Sequence, residues 1–260
     1  DYNWVYRQAL IRNPTEPVKT ETGEWYERDV YMYQNPGRLI DETNGERRTQ
    51  ETRLNGSVTL SPVRDFNFKL LVSGNKLNNL TGYSENFNYS STTGRRGYAS
   101  RGTRLIQNSL MEFTTDYSKS IKDHHFTLLG GYSYQYDVTE GFSGNNSNFP
   151  TDLYTYNRLQ AGDALTLQNG PVGLSSDKSD SRLIGFFGRI NYNWNDKYLL
   201  MGRGRHEGSS KFGKNNHWGV FPAVSVGWRI DKEGFMKNVS FVNDLKLRAG
   251  YGVTGIAPSD

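Results

Sequence analysis

The amino-acid sequence predicts an all-β fold, an antiparallel transmembrane β-barrel segment of about eight strands with long extracellular loops. The first observation is a pair of alternating runs, WGVFPAVSVGWRI and DLKLRAGYGVTG. In the first run, Trp218, Val220, Pro222, Val224, Val226 and Trp228 share one parity; Ala223, Ser225, Gly227 and Arg229 share the other. In the second, Leu245, Leu247, Ala249, Tyr251 and Val253 lie opposite Lys246, Arg248 and Gly250. Successive side chains of a strand point to opposite faces, so each run has one charge-free apolar face and one polar face. Each run is about ten residues long, enough to cross a bilayer as a tilted strand. The second observation is that short and long connections alternate along the chain. The third is the placement of aromatics: Tyr192, Trp194, Tyr198 and Trp228 fall near short-turn ends and Trp218 near a long-loop end, the positions of an interfacial girdle.

Composition agrees with this reading. The chain has 260 residues, of which 35% are hydrophobic, and its mean hydropathy is −0.75. No stretch approaches the run of about 18 apolar residues that a helical span needs, but barrel strands show lipid only every second residue. Cysteine is absent, which removes disulfide and thiolate–metal chemistry. The net charge of +4 comes from scattered Lys and Arg, a pattern of solvated loops rather than of nucleic-acid binding. The first residues, DYNWVYRQALIRNPTEP, contain no basic region followed by an apolar core. A barrel protein needs an export signal, so the expectation is either that it has been processed away or that this chain is an internal piece of something longer.

Residues 1–48 are turn-rich, with NPTEPV, TETGEW and YQNPGRL, and are expected to form an irregular extracellular region of the barrel. From Thr49 the period becomes two, and 49–260 are expected to be wall strands. Leu54, Val58 and Leu60 alternate with Arg53, Asn55 and Thr59, and after a tight turn Phe66, Phe68 and Leu70 continue the pattern. Further runs follow at Leu105–Tyr117, Phe126–Val138, Leu183–Trp194 and Tyr198–Arg205, before the two C-terminal runs. The polar stretches 81–102 and 139–179 are expected to be long loops on the outside. Short turns are expected at Ser61–Asp65, Ser118–Lys122 and Asn195–Lys197, on the opposite side. Pro222 falls mid-strand, where it removes a ladder hydrogen bond, so a bulge is expected there. The insert Asp231–Asn243 reads as a short helix or turn on the short-turn side.

Few residues suggest bond chemistry. Asp123, His124 and His125 are adjacent, as are His206 and Glu207, but neither set has a third ligand or a converging acid at useful spacing. DETNG at 41–45 lacks the later bidentate Glu of a calcium loop, and no phosphate-binding glycine motif occurs. No catalytic residue, cofactor or metal is expected. The substrate-contact candidates are aromatics in the segments assigned to the outside: Trp4, Trp25, Tyr26, Tyr31, Tyr33, Phe142, Phe149, Tyr154 and Tyr156. Their rings could grip sugar faces or peptide side chains; packing of loop against loop is the competing role.

At HWGVFPAVSVGWRI, LKLRAGYGVTG and GSSKFGKNN, and earlier at ALIRNPTEPV and YQNPGRLI, the chain resembles the barrel of SusC/RagA-type TonB-dependent outer-membrane transporters of Bacteroidetes. The resemblance covers essentially the whole chain. It implies nutrient uptake of oligosaccharides or peptides through a large outer-membrane barrel closed by an N-terminal plug. It also implies a SusD-like surface lipoprotein as lid, and the TonB complex acting through an N-terminal part missing from this chain. The departure is GRGRHEGSS, where Gly204, His206 and Glu207 stand in place of the family's Leu, Arg and Asp. Two alternatives come from other classes. A secreted β-sheet glycan-binding module would fold in buffer without detergent or lipid. An outer-membrane enzyme would need acids and histidines converging at one rim.

Overall fold

The computed structural model describes residues 2–28, 30–164, 173–239 and 241–256. Two helices, α1 (Tyr2–Ile11) and α2 (Pro36–Glu42), precede the strands β1 (Thr43–Val63) and β2 (Phe66–Glu85). A short helix α3 (Phe87–Ser91) leads to β3 (Tyr98–Ile121) and β4 (His124–Ser147). The remaining strands are β5 (Gly173–Trp194), β6 (Tyr198–Ser209), β7 (Trp218–Arg229) and β8 (Lys246–Gly252). They form one eight-stranded sheet in sequence order, β1 to β8, so the predicted strand number and all-β class are observed. The pairings of β5 through β8 are all antiparallel.

The connections alternate as the sequence predicts. Arg64–Asp65, Lys122–Asp123 and Asn195–Lys197 close tight turns, and each requires left-handed backbone: Asp65 at φ 72°, Lys122 at 52°, Asn195 at 54° and Asp196 at 51°. Asn and Asp tolerate this region because their short polar side chains bond locally. On the other side of the strands lie 86–97, 148–164 and 210–217.

Three boundaries differ from expectation. Segment 1–48 is not wholly irregular, because it contains α1 and α2 and the first residues of β1. The expected loop 81–102 is strand up to Glu85 and again from Tyr98; the expected loop 139–179 is strand up to Ser147 and again from Gly173, with 165–172 outside the described residues. The physical reason is common to both: these extensions bury small or polar residues, Gly82, Ser84, Ala99, Asn146 and Ser147, in place of large apolar ones, so their composition imitates a loop. The bulge at Pro222 is not formed. The β6–β7 register runs unbroken through Gly204 opposite Pro222. Pro222 O accepts from Val253 N at 2.9 Å, so the proline nitrogen faces the β8 side just past Gly252, where that strand's ladder stops. One bond at a strand end is lost, and the β6 ladder is untouched.

By contact the chain divides into two compact units, 1–51 with 77–105 and 139–178, and 52–76 with 106–138 and 179–260. The first holds a small core of Ala99, Phe149 and Tyr156, with Phe87 and Leu159 against it. The second is strand surface with a marked difference between its two faces.

Candidate functional site

In the second unit the register decides which residues share a face. Trp194, Tyr192, Ile190, Gly188 and Phe186 of β5 stand opposite Tyr198, Leu200, Gly202, Gly204 and His206 of β6. These in turn face Trp228, Val226, Val224, Pro222 and Val220 of β7, and Tyr251, Ala249 and Leu247 of β8 pair with Val224, Val226 and Trp228. Residues directly opposite on antiparallel strands point the same way, so this is one continuous apolar face carrying no Asp, Glu, Lys or Arg. It is bare: Val220 is 64% exposed, Leu247 61% and Tyr251 73%.

Rings close both ends of that face. At the short-turn end Trp194 meets Tyr198 at 5.3 Å, Phe126 meets Tyr192 at 4.8 Å, and His124 stacks on Tyr192 and Trp194. His124 Nδ1 and the Tyr192 hydroxyl lie 2.8 Å apart in a hydrogen bond. At the other end Tyr132 meets Phe186 at 5.2 Å, and His206 meets Trp218 at 4.6 Å. The adjacent histidines of the 123–125 turn are thus split between this ring cluster and a 2.8 Å hydrogen bond from His125 to Ser120. No group of three or more His, Cys, Asp or Glu side chains converges among the described residues.

The short-turn end is tied down by Glu233, in a 3-10 turn pair at Ile230–Lys232 and Gly234–Met236. Its carboxylate accepts from Tyr198 Oη at 2.7 Å, Trp228 Nε1 at 3.0 Å and Lys197 Nζ at 3.2 Å. The Tyr198, Trp228 and Lys197 hydrogen bonds, in that order of weight, hold its pKa down at about 2.

The opposite face is cationic. From Leu183 to Gly252 the strands place Arg189, Arg203, Arg205, Arg229, Lys246 and Arg248 on it, against one carboxylate, Glu207. Arg205 donates to that Glu207 and, at 3.3 Å, to Ser133 Oγ, and lies 5.5 Å from the Phe187 ring centre. Arg229 pairs with Asp231 at 3.2 Å. Arg189 stands directly opposite Arg203. A cavity of about 780 Å³ includes both, with Leu129, Phe187, Met201 and Phe221 in its wall. A second, of about 490 Å³, has Lys246 and Arg248 beside Asn191, Asn193 and Ser225. Sequence reading assigned Arg229, Lys246 and Arg248 to this face without a role and passed over Arg189, Arg203, Phe187 and Phe221. The parity of FFGRIN and MGRGRHE was the available signal.

The nine aromatic candidates separate by environment, all within the first unit. Phe149 is 4% exposed and Tyr156 9%; Tyr156 lies so close over Gly82 that a Cβ there would meet its ring at 2.4 Å. Trp4 donates to Gln34 Oε1 at 2.8 Å, Tyr33 donates to Glu16 at 2.8 Å, and Tyr26 lies under Arg12. Trp25 takes Lys19 over its ring at 4.4 Å. Tyr154 carries Arg158 at 4.8 Å. Tyr31, 89% exposed, and Phe142, 53% exposed, present open rings. The nine do not converge on one site.

Beneath the first group lies a buried polar frame. Gln8, fully buried, donates to Met32 O at 3.0 Å and accepts from Gln34 N at 2.8 Å. Asn35, 1% exposed, donates to Val18 O at 2.8 Å and Tyr26 O at 3.1 Å, and caps α2 by accepting from Gly37 N at 3.0 Å.

An open sheet of long antiparallel strands, apolar and ring-bordered on one face and cationic on the other, defines a β-barrel wall. The chain belongs to the TonB-dependent receptor-like β-barrel family, which matches residues 3–260. It is 33% identical over 221 residues to TonB-dependent receptor P3 of Formosa agariphila, covering 85% of this chain and 22% of that protein. It is 32% identical over 157 residues to TonB-dependent receptor SusC of Bacteroides thetaiotaomicron, covering 59% of this chain and 14% of SusC. Among solved structures it resembles the RagAB peptide transporter, with TM-score 0.77 and 20% identity over 89% of this chain and 26% of that one. The chain thus spans about a quarter of the proteins it matches.

Proposed function

We propose that this chain is part of the wall of an outer-membrane, TonB-dependent importer of SusC type, which takes up oligosaccharides or peptides by gated passage rather than by bond chemistry. The observation that carries the reading is the charge-free face bounded by rings. From Trp218 to Trp228 the face runs ten residues, which at about 3.3 Å per residue and about 40° of tilt is roughly 25 Å, the height of an outer-membrane barrel's apolar band. In this reading that face contacts lipid and the cationic face lines the lumen. The edges β1 and β8 would pair with the remaining strands of the barrel, since bare edges invite aggregation.

The connections at 86–97 and 148–164 would then lie outside the cell, and the turns at 64–65, 122–123 and 195–197 in the periplasm. A SusD-like lipoprotein would cover the outer mouth, and TonB would act through the part of the protein that precedes this wall. The exposed rings of Tyr31 and Phe142 are the candidates to meet substrate there; Phe149 and Tyr156 are packing residues. Whole cells carrying Thr92→Cys or Ser120→Cys in the full-length protein test the sidedness. An impermeant thiol reagent should label position 92 and spare position 120; equal labelling would exclude the topology. Uptake that persists without TonB would exclude the energy source.

A further inference from the structure

We infer that the cationic face of β5 to β8 is an anion track, so that the imported oligomer carries carboxylate or sulfate groups. This rests on the transport reading, which makes that face the lumen. Arg189 and Arg203 are directly opposite across the β5–β6 ladder, where like charges repel and destabilise the pair. Arg205 and Arg229 have carboxylate partners, whereas Arg189 and Arg203 make no ion pair with a carboxylate among the described residues. An oxyanion between two guanidinium forks reverses the sign of that interaction and satisfies donors with bidentate geometry.

The seat is built for more than a free ion. Phe187 and Phe221 flank the arginines in one cavity of about 780 Å³, giving an apolar platform beside the charge, as an oligomer unit with a ring or aliphatic body and an anionic substituent requires. Lys246 and Arg248, two residues apart along β8, add a second cationic patch beside Asn191, Asn193 and Ser225 in the second cavity. The two cation pairs are two strands apart and offset by about four residues, a separation on the order of 15 Å. One charged oligomer can bridge both seats, and a single small anion cannot.

The test uses the full-length transporter in detergent with five probes: a trigalacturonate, monomeric galacturonate, neutral maltotriose, a glutamate-rich hexapeptide and its glutamine counterpart. Calorimetry at low and high salt reads binding. At least one acidic probe should bind about tenfold or more tighter than its neutral counterpart and weaken with salt, and which of the two does so separates sugar from peptide. Arg189→Gln with Arg203→Gln should remove that preference, while Lys246→Gln with Arg248→Gln should reduce it for the oligomer but not for monomeric galacturonate. Melting temperatures of each variant establish folding, and either single arginine variant serves if the double one fails. Equal binding of acidic and neutral probes overturns the proposal. So does no acidic binding, including the case where the arginine variants only lower the melting temperature because an acidic segment elsewhere in the protein holds them. A protein that imports a neutral oligomer in a TonB-dependent manner would keep the transport reading and discard this one.

Discussion

The two compact units of this chain hold themselves together by different means. In 1–51, 77–105 and 139–178, order comes from individual side chains: Asn35 and Gln8 thread loop carbonyls and amides, and Phe149 and Tyr156 make a small core. In the other unit, order comes from a repeated ladder whose side chains face outward on both sides, with 64% of Val220 and 73% of Tyr251 left uncovered. The lesson is that a frame of unique contacts fails at single residues. A ladder tolerates substitution on one face and is vulnerable on the other, according to the medium each face meets.

Truncation in the first unit should give the largest effect. Phe149→Ala removes a ring that is 4% exposed, and about 3–5 kcal/mol is the expected loss for a buried aromatic. Tyr31→Ala, at 89% exposure, should change stability by less than about 0.5 kcal/mol. Urea unfolding of the full-length protein in lipid, followed by protease susceptibility of 139–164, measures both. Comparable losses would mean that Tyr31 is covered in the complete protein.

The second unit should show a face-dependent penalty. Val224→Arg puts a guanidinium on the charge-free face and should cost about 2–4 kcal/mol at the bilayer midplane. Ser225→Arg, one residue on and pointing to the cationic face, should cost less than about 1 kcal/mol, chiefly through repulsion from neighbouring cations. Reversal of that order would invert the lipid and lumen assignments.

Within the first unit the polar frame should matter less than the core. Asn35→Ala removes an α2 cap and one of two donors to each of the Val18 and Tyr26 carbonyls, which keep their bonds from Tyr26 N and Arg12 Nη2. About 1–2 kcal/mol is expected, chiefly from the lost cap. Hydrogen exchange confined to 13–42 would show the loss as local, and a uniform increase over the strands would show that the frame supports more than its own segment.

The same contrast explains what was legible in the sequence. The apolar face of Trp218–Trp228 and its continuation on Leu247–Tyr251 could be read from period two alone, because lipid-facing and polar residues alternate there. Strand beyond that band was not legible: Tyr98–Gly102 and Thr139–Ser147 bury Ala99, Asn146 and Ser147 rather than large apolar side chains, so no hydrophobic alternation shows. The helices α1 and α2 were missed because their stabilising contacts, Trp4 with Gln34 and Asn35 with Val18, join residues far apart in sequence. The Arg189–Arg203 pair needed the register, since only the β5–β6 ladder reveals that the two are opposite. For the aromatic candidates composition gave the right residue type and no means of separating Phe149, which is core, from Phe142, which is open.

The smallest expected effect lies at the short-turn end, where a single acid with three side-chain partners behaves like a residue of the first unit set into the second. Glu233 accepts from Tyr198, Trp228 and Lys197, and those hydrogen bonds hold its pKa at about 2 against an ordinary 4.5. A carboxylate depressed by folding contributes stability that is complete above the unfolded value and is lost as pH falls through the folded one. The contribution should therefore be intact at neutral pH and fade between about pH 4.5 and pH 2, and Glu233→Gln should remove it at every pH. Trp228 emission reports the event directly, since its indole N–H loses a charged acceptor when Glu233 is protonated. Phe replacements at Trp4, Trp25, Trp194 and Trp218 would isolate that signal. A titration step below pH 4.5 that disappears in Glu233→Gln is the expected result. A step that survives the substitution would assign it to another carboxylate and leave the 3-10 insert held to the strand ends by its Asp231 contacts with Leu245 O and Arg229.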